Sequence, residues 1–596
     1  MRLKRLAETL ARLEAGGTRL NAVQLVAGLL KAASAPERAP IVYLLQGQLR
    51  PPYEGVEVGL GERLLLRALA RAYGTSEATV GRRFRRRGDL GLVAEDLGET
   101  VRPGRLTVRE AYDALLKIAR TGGAGSVDSK TGLLAGLLKR AGALEARYLV
   151  RIAQGRLRLG VGDAIVLEAT AAGALGDRRK RPLIEAAYNV RSDLGGVVEL
   201  AFAKGGRGFA RIAPRVGIPV RPALAQRLPS ADAIIRRMGT VQVEPKYDGF
   251  RLQLHRDGNR VRLFSRRLED VSEMFPELTA GARRQLRARR AILDGEAVVY
   301  DPRTGRFLPF QETISRKRKH GITEAAKGKP LRLFAFDLLA ADGRNYLPRP
   351  QAERYRRLGA LLRGTARDAV VVTEAILTDR PARLKSYFEL LVRRGLEGIV
   401  AKRPEAPYRA GARGYDWVKL KAAYQSHLRD TVDLVLLGYL RGRGKRAALG
   451  IGSLLAGVYD SEHDRFRTVA KIGSGLTEKD WKALRTRLDR LAVAGRPRRV
   501  DSAITPDRWV EPRLVVEVLA DEITRSPSHT CGKTDSGAGY ALRFPRLVGG
   551  VRVDKGPTDA TTEGEILDMY ATQRARSARA PRSRRRPSES RVRAPS

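Results

Sequence analysis

The chain has 596 residues, 113 of them lysine or arginine against 65 acidic residues, for a formal net charge of +48. That length predicts three or four domains, and the charge favours a polyanionic partner, nucleic acid foremost, because bound phosphates release counterions. No apolar run approaches the roughly 20 residues of a membrane-spanning helix, and the lone Cys531 excludes an internal disulfide or a multi-cysteine zinc site.

Leu3, Leu6, Leu10 and Leu13 recur at helical spacing around Glu8. This pattern predicts an ordinary helix and an intracellular protein, not a signal peptide. Helical patterning continues to about residue 215, with Thr107-Val108-Arg109-Glu110 matching a capping box and Gly122-Gly123 providing the stop. Residues 1–215 therefore read as an all-α domain. Within it, Gln154 to Gly162 sets Arg156 and Arg158 among glycines, where a backbone can approach phosphates; a plain interhelical loop explains the segment equally well. Gly125 to Thr131 resembles a phosphate-binding loop, but Ser129 holds the glycine position before Lys130, so no NTPase site is assigned there.

From Gly217-Ile218-Pro219 the period changes to two. Leu252/Leu254 and Val261/Leu263 flank the turn Asp257-Gly258-Asn259, which predicts a hairpin. Residues 216–424 read as an α+β domain. Near Asp430, DLVLLGYL, a basic glycine-rich loop from Arg441 to Arg446, and SLLAGVYD predict strand, loop and strand of a small β-barrel over 425–570. Beyond Tyr570, residues 571–596 are rich in Arg, Ser and Pro and nearly free of apolar residues, which predicts a disordered basic tail.

Lys246 lies in EPKYDGFR, between a strand-like run from Val241 and the alternating run Arg251 to His255, so its amine is expected to project from a turn. A lysine that attacks phosphorus must be neutral, yet its reference pKa of roughly 10.4 leaves it protonated. Arg251, with Lys419 and Lys421 on one face of the WVKLK strand, is expected to destabilise the ammonium and to bind a triphosphate. Asp294 and Glu296 share a face of AILDGEAVVY and suit a ribose hydroxyl or a hydrated Mg2+. Glu397 precedes an apolar run, where an unpaired charge needs a metal or a cation, and Phe334 and Phe336 share a face from which one ring can meet a base. Taken alone, these motifs are better explained as a surface turn, solvated acids and core phenylalanines.

In their order, EPKYDGFR, FSRR, DGE, FAFD, LEGIV and WVKLK resemble the covalent nucleotidyltransferase superfamily, most closely the ATP-dependent DNA ligases of the archaeal and replicative type. The resemblance spans nearly the whole chain, through ALRFPR at 541–546 and VRVDK at 551–555. It implies a helical DNA-binding domain, an adenylation domain and an OB-fold domain. It further implies that Lys246 becomes the AMP-lysine, Glu244 reads the adenine amino group and Phe336 stacks on the base. Arg251, Arg266, Glu296, Arg413, Lys419 and Lys421 complete the ATP pocket: Arg266 on ribose or phosphate, Glu296 on the ribose, and Arg413, Lys419 and Lys421 on the phosphates. Glu397, with Glu296, is implied for Mg2+, and Arg543, Arg546, Arg552 and Lys555 for orienting pyrophosphate. The implied partners are ATP, nicked double-stranded DNA and a sliding clamp; the implied state is a monomer. NAD-using relatives carry a four-cysteine zinc module that one cysteine cannot build. An RNA ligase or GTP-using capping enzyme, and a basic nucleic-acid binder without catalysis, are the alternatives.

Overall fold

The computed structural model describes residues 1–100, 104–155, 157, 159, 161–210, 212–301, 306–307, 313, 316, 321–362, 368–421, 431–442, 450–534 and 537–579. The N-terminal region is helical, and one apolar core runs through it from Leu3 to Phe209. Leu3, Leu6, Leu10 and Leu13 are all buried on the helix Leu3–Glu14. Thr107 and Glu110 close the expected capping box, and the helix they start ends at Arg120, just before the glycine pair. Lys130 sits inside the helix Ser126–Arg140 and reaches the Val58 carbonyl at 3.4 Å. Arg156 and Arg158 of the glycine-rich segment lie outside the described residues.

A short segment joins this region to the next domain and is pinned to a strand by side chains. Gly217 N–H donates to His255 Nδ1 at 2.9 Å, and Val220 exchanges hydrogen bonds of 2.7 and 3.0 Å with the Gln253 amide. Because His255 Nδ1 accepts, its proton sits on Nε2, which donates to Gln253 Oε1 at 2.9 Å. Burial pushes the imidazole down to about 3, with Arg262 adding to the effect.

The middle domain packs two sheets. One has the order Leu224–Arg227, Arg413–Lys421, Gly398–Lys402, Val241–Lys246, Ile376–Thr378; the other runs Arg260–Ser265, Phe250–Asp257, Arg290–Asp301, Leu331–Ala341, Arg344–Asn345. The hairpin at Gly258-Asn259 forms as expected. The KYDG segment is the crossing point between the sheets: Lys246 ends a strand of the first and Phe250 begins a strand of the second. Lys246 is thus the last strand residue and does not lie in the turn. Gly249 is required at the crossing, since a Cβ there would meet the Ala297 carbonyl oxygen at 2.3 Å.

The C-terminal region is strand-rich. Its main sheet has the order Ala492–Val493, Arg508–Val510, Thr431–Leu440, Ser453–Asp460, Arg465–Ile472, Val500–Asp501, with Val515–Leu519 joining Thr431–Leu440 to Arg546–Arg552. No closed ring of strands forms among the described residues, so the expected barrel is met only as a strand-rich domain. Of the basic loop, residues 443–449 lie outside the described set. The expectation of a disordered tail from 571 is corrected for its first nine residues, which continue the helix Glu563–Arg579. Gln573 anchors that helix by exchanging two 2.9 Å hydrogen bonds with the Ile523 backbone, a side-chain clasp that composition does not reveal. No helix among the described residues is long and apolar enough to cross a membrane.

His255 gives a pH signature. Its folded pKa lies below the ordinary value of 6.5, so the stability it contributes is complete above pH 6.5 and is lost as pH falls towards 3. Thermal unfolding from pH 7 to pH 4.5 should therefore show a shallower loss of Tm in His255→Gln than in the wild type.

Candidate functional site

Strand register builds the site. Antiparallel pairing aligns Lys421, Gly398 and Lys246 in one row, Lys419, Val400 and Glu244 in the next, and Trp417, Lys402 and Gln242 in a third. Residues two apart on a strand share a face, so one face gathers four lysines and a carboxylate. Gly398 has φ 150°, and a Cβ on it would meet the Leu420 carbonyl oxygen at 2.1 Å, so its position admits only glycine.

Glu397 stands next to that glycine and spans two ammonium groups, one oxygen on Lys246 Nζ and the other on Lys421 Nζ. Although burial opposes its charge, the two lysines hold its carboxyl well below the usual range. The contact to Lys246 must break before the amine can attack anything. Arg251 turns elsewhere: its guanidinium forks onto Asp294 at 3.1 and 2.7 Å and donates to the Ala223 carbonyl at 2.6 Å. Tyr408 donates to the same carboxylate at 2.6 Å. Two expectations are corrected as a result. Asp294 is saturated and buried, leaving Glu296 as the available member of that pair. The cations expected to discharge Lys246 are themselves engaged by carboxylates: Arg251 by Asp294, Lys419 by Glu565 and Lys421 by Glu397.

Glu244, Lys246, Arg251, Arg266, Glu296, Phe336, Glu397, Arg413, Lys419, Lys421, Arg552 and Lys555 line one cavity of about 360 Å³. Glu244 is 2% exposed and bonded to Lys402 Nζ at 2.7 Å and Gln242 Nε2 at 2.9 Å. Of the two phenylalanines, Phe334 stacks on Tyr247 in the core at 4.3 Å, whereas Phe336 lines the cavity, edge-on to Trp417 at 5.9 Å. The Glu296 side chain has no hydrogen bond or ion pair among the described residues, and burial raises it to about 7 against the pull of Lys246 and Arg251.

The C-terminal region closes the cavity. Glu565 Oε1 accepts from Arg413 and from Lys419 at 3.3 Å, while Oε2 accepts from the Thr562 N–H at 3.0 Å, capping the last helix. Arg266 pairs with Asp559 at 3.2 Å, and Lys555 and Arg552 both meet Asp433. Arg543 and Arg546 do not line the cavity: they end the strand Gly539–Arg543 and begin the strand Arg546–Arg552, and pair with Glu522 at 2.7 Å and Asp521 at 3.5 Å. Sequence reasoning missed Lys402, Trp417, Asp433, Asp559 and Glu565. The alternation of GIVAK gave a signal for Lys402, and the capping pattern from Thr562 to Glu565 gave one for Glu565. Among the described residues no group of three or more His, Cys, Asp or Glu is arranged to hold a metal unaided.

Three family models match the chain: DNA ligase N terminus over residues 2–171, ATP dependent DNA ligase domain over 222–421, and ATP dependent DNA ligase C terminal region over 447–555. The chain is 47% identical over 571 residues to the "Probable DNA ligase" of Dictyoglomus thermophilum, covering 96% of this chain and 97% of the relative. It is 41% identical over 586 residues to the DNA ligase of Pyrobaculum arsenaticum, covering 96% and 99%. A solved mycobacterial DNA ligase D complexed with ATP and MES aligns with 57% of this chain and 97% of its own at 27% identity; its TM-score of 0.34 is too low to carry a comparison of folds.

Glu296 supplies a stability test. Its folded pKa is raised from 4.5 to about 7, so it costs no stability below pH 4.5, destabilises increasingly as pH rises from there, and reaches its full cost above about 7. Glu296→Gln should melt higher than the wild type at pH 8.5 and no higher below pH 4.5, as measured by calorimetry.

Proposed function

Because the chain belongs to the ATP-dependent DNA ligase family, we propose how its residues divide the work of that activity. The protein is a DNA ligase that uses ATP to form phosphodiester bonds. Lys246 is the nucleophile: its Nζ bonds to the α-phosphorus as the bond from that phosphorus to the bridging oxygen breaks, and pyrophosphate departs. AMP then passes to the 5′-phosphate at a nick, and the 3′-hydroxyl displaces it to seal the strand. The observation that carries this assignment is the single cavity in which Lys246 lies among Arg413, Lys419, Lys421 and Lys555, with the buried Glu244 one row away along its strand.

Charge moves onto phosphate oxygens in each step, so cations fixed in position are the main catalytic demand. Arg413, Lys419 and Lys421 meet the phosphates, and Arg552 and Lys555 orient the departing pyrophosphate. Glu244 accepts from the adenine amino group, Phe336 stacks on the base, Glu296 holds the ribose and Arg266 the ribose or a phosphate. Arg251 supports the pocket through its fork on Asp294. Mg2+ asks for one or two carboxylates together with phosphate oxygens. Glu296, half-buried and without an ion-pair partner among the described residues, fits that demand, as does Glu397 once its lysine contacts loosen; the ion would neutralise phosphate charge.

Residues 1–215 bind the duplex, 216–424 carry adenylation and 425–570 form an OB-fold-type domain, in keeping with the net charge of +48. With α-labelled ATP and Mg2+, the protein should take up covalent label, then lose it as AMP while a nicked duplex is joined. Joining without a labelled protein, or label that nicked DNA does not discharge, would overturn the proposal.

A further inference from the structure

The third row of the sheet, Trp417, Lys402 and Gln242, takes no part in the chemistry above. Lys402 is 1% exposed, and its ammonium makes two polar contacts: Glu244 Oε2 at 2.7 Å and the Phe336 carbonyl oxygen at 3.0 Å. Its Nζ also lies 4.7 Å from the centre of the Phe336 ring and 4.3 Å from that of Trp417. One buried cation therefore touches both residues assigned to the base.

The consequence is chemical. An ionised carboxylate can only accept hydrogen bonds, whereas a carboxylic acid carries an O–H donor. A purine with an amino group at C6 suits the first; a purine with an oxo group at C6 is repelled by it and suits the second. Burial favours the acid form of Glu244, and Lys402 is the charge that opposes it, aided by the Gln242 amide. Resting on the reading of Glu244 as the adenine contact, we infer that Lys402 is a positioning residue that keeps Glu244 an acceptor and thereby sets selectivity for 6-amino over 6-oxo purine nucleotides. The same ammonium fixes the Phe336 backbone, so the acceptor and the stacking ring are held in one frame.

The test compares lysyl-nucleotide formation from ATP and from inosine triphosphate, which presents a 6-oxo group without the 2-amino group of guanine. Lys402→Met removes the charge and leaves an apolar chain between Phe336 and Trp417; Lys402→Gln keeps a donor without charge and carries the test if the methionine variant melts early. In both, the ATP-to-inosine-triphosphate ratio of kcat/KM should fall by about tenfold or more, the scale of one charge-assisted hydrogen bond, with the change appearing in KM. Glu244→Gln, a mimic of the neutral acid, should lose the preference likewise. Lys402 variants that keep the wild-type ratio while Glu244→Gln loses it refute the role of Lys402 and leave Glu244 as the reader. An unchanged ratio in Glu244→Gln refutes the reading on which the inference rests. Equal losses with both nucleotides in the Lys402 variants mark a packing role alone and overturn the inference.

Discussion

A carboxylate drawn partly out of water stays ionised most readily with cations close by, and the half-buried Glu397 obtains two because strand register brings Lys246 and Lys421 to either side of Gly398. The rest of the site follows from that alignment. Lys246 must end its strand to reach Glu397, the chain must then cross to the second sheet, and the crossing requires Gly249 against the Ala297 carbonyl. The next row along carries Lys419 and Glu244, and the third carries Lys402. A shift of one residue in any of the three strands would turn its side chains to the other face and dismantle the pocket.

The same electrostatic demand recurs around the cavity. Arg413 and Lys419 share Glu565, Arg266 takes Asp559, and Arg552 and Lys555 meet Asp433. Glu565 and Asp559 belong to the C-terminal region, so Arg413, Lys419 and Arg266 also hold that region against the middle domain, whereas Arg552 and Lys555 meet Asp433 within the C-terminal region itself. A triphosphate entering the cavity meets cations already paired and must exchange partners with them. Glu296 and Asp248 differ: both line the cavity without an ion pair among the described residues, and burial raises both, Glu296 to about 7. The raised value of Glu296 makes its ionisation cost stability from about pH 4.5 upward, which sets a binding role against a stability cost at one residue.

Much of this was legible in the sequence, for identifiable reasons. Capping at Thr107 and Glu110, the leucine spacing of the first helix and the turn at Gly258 are local signals, and each element formed as read. The face of each functional strand residue also followed from alternation. Partners did not, because alternation fixes a face without saying which neighbour fills it. Glu296 lies directly opposite Arg251, yet Arg251 takes the diagonal Asp294, which Tyr408 also satisfies from a distant segment. Lys402 was hidden in an apolar run until pairing with Gln242 and Trp417 gave it a row. The helix through Arg579 depends on the clasp between Gln573 and Ile523, a contact across 50 residues that no compositional window registers.

All of this bears on one amine at the end of one strand. Incubating the protein with ATP and Mg2+, digesting it and locating the adenylate by tandem mass spectrometry addresses the assignment directly. AMP on the peptide carrying Lys246, bonded to its side chain, is the expected result. AMP on Lys419, Lys421 or any other residue, with Lys246 unmodified, would contradict it.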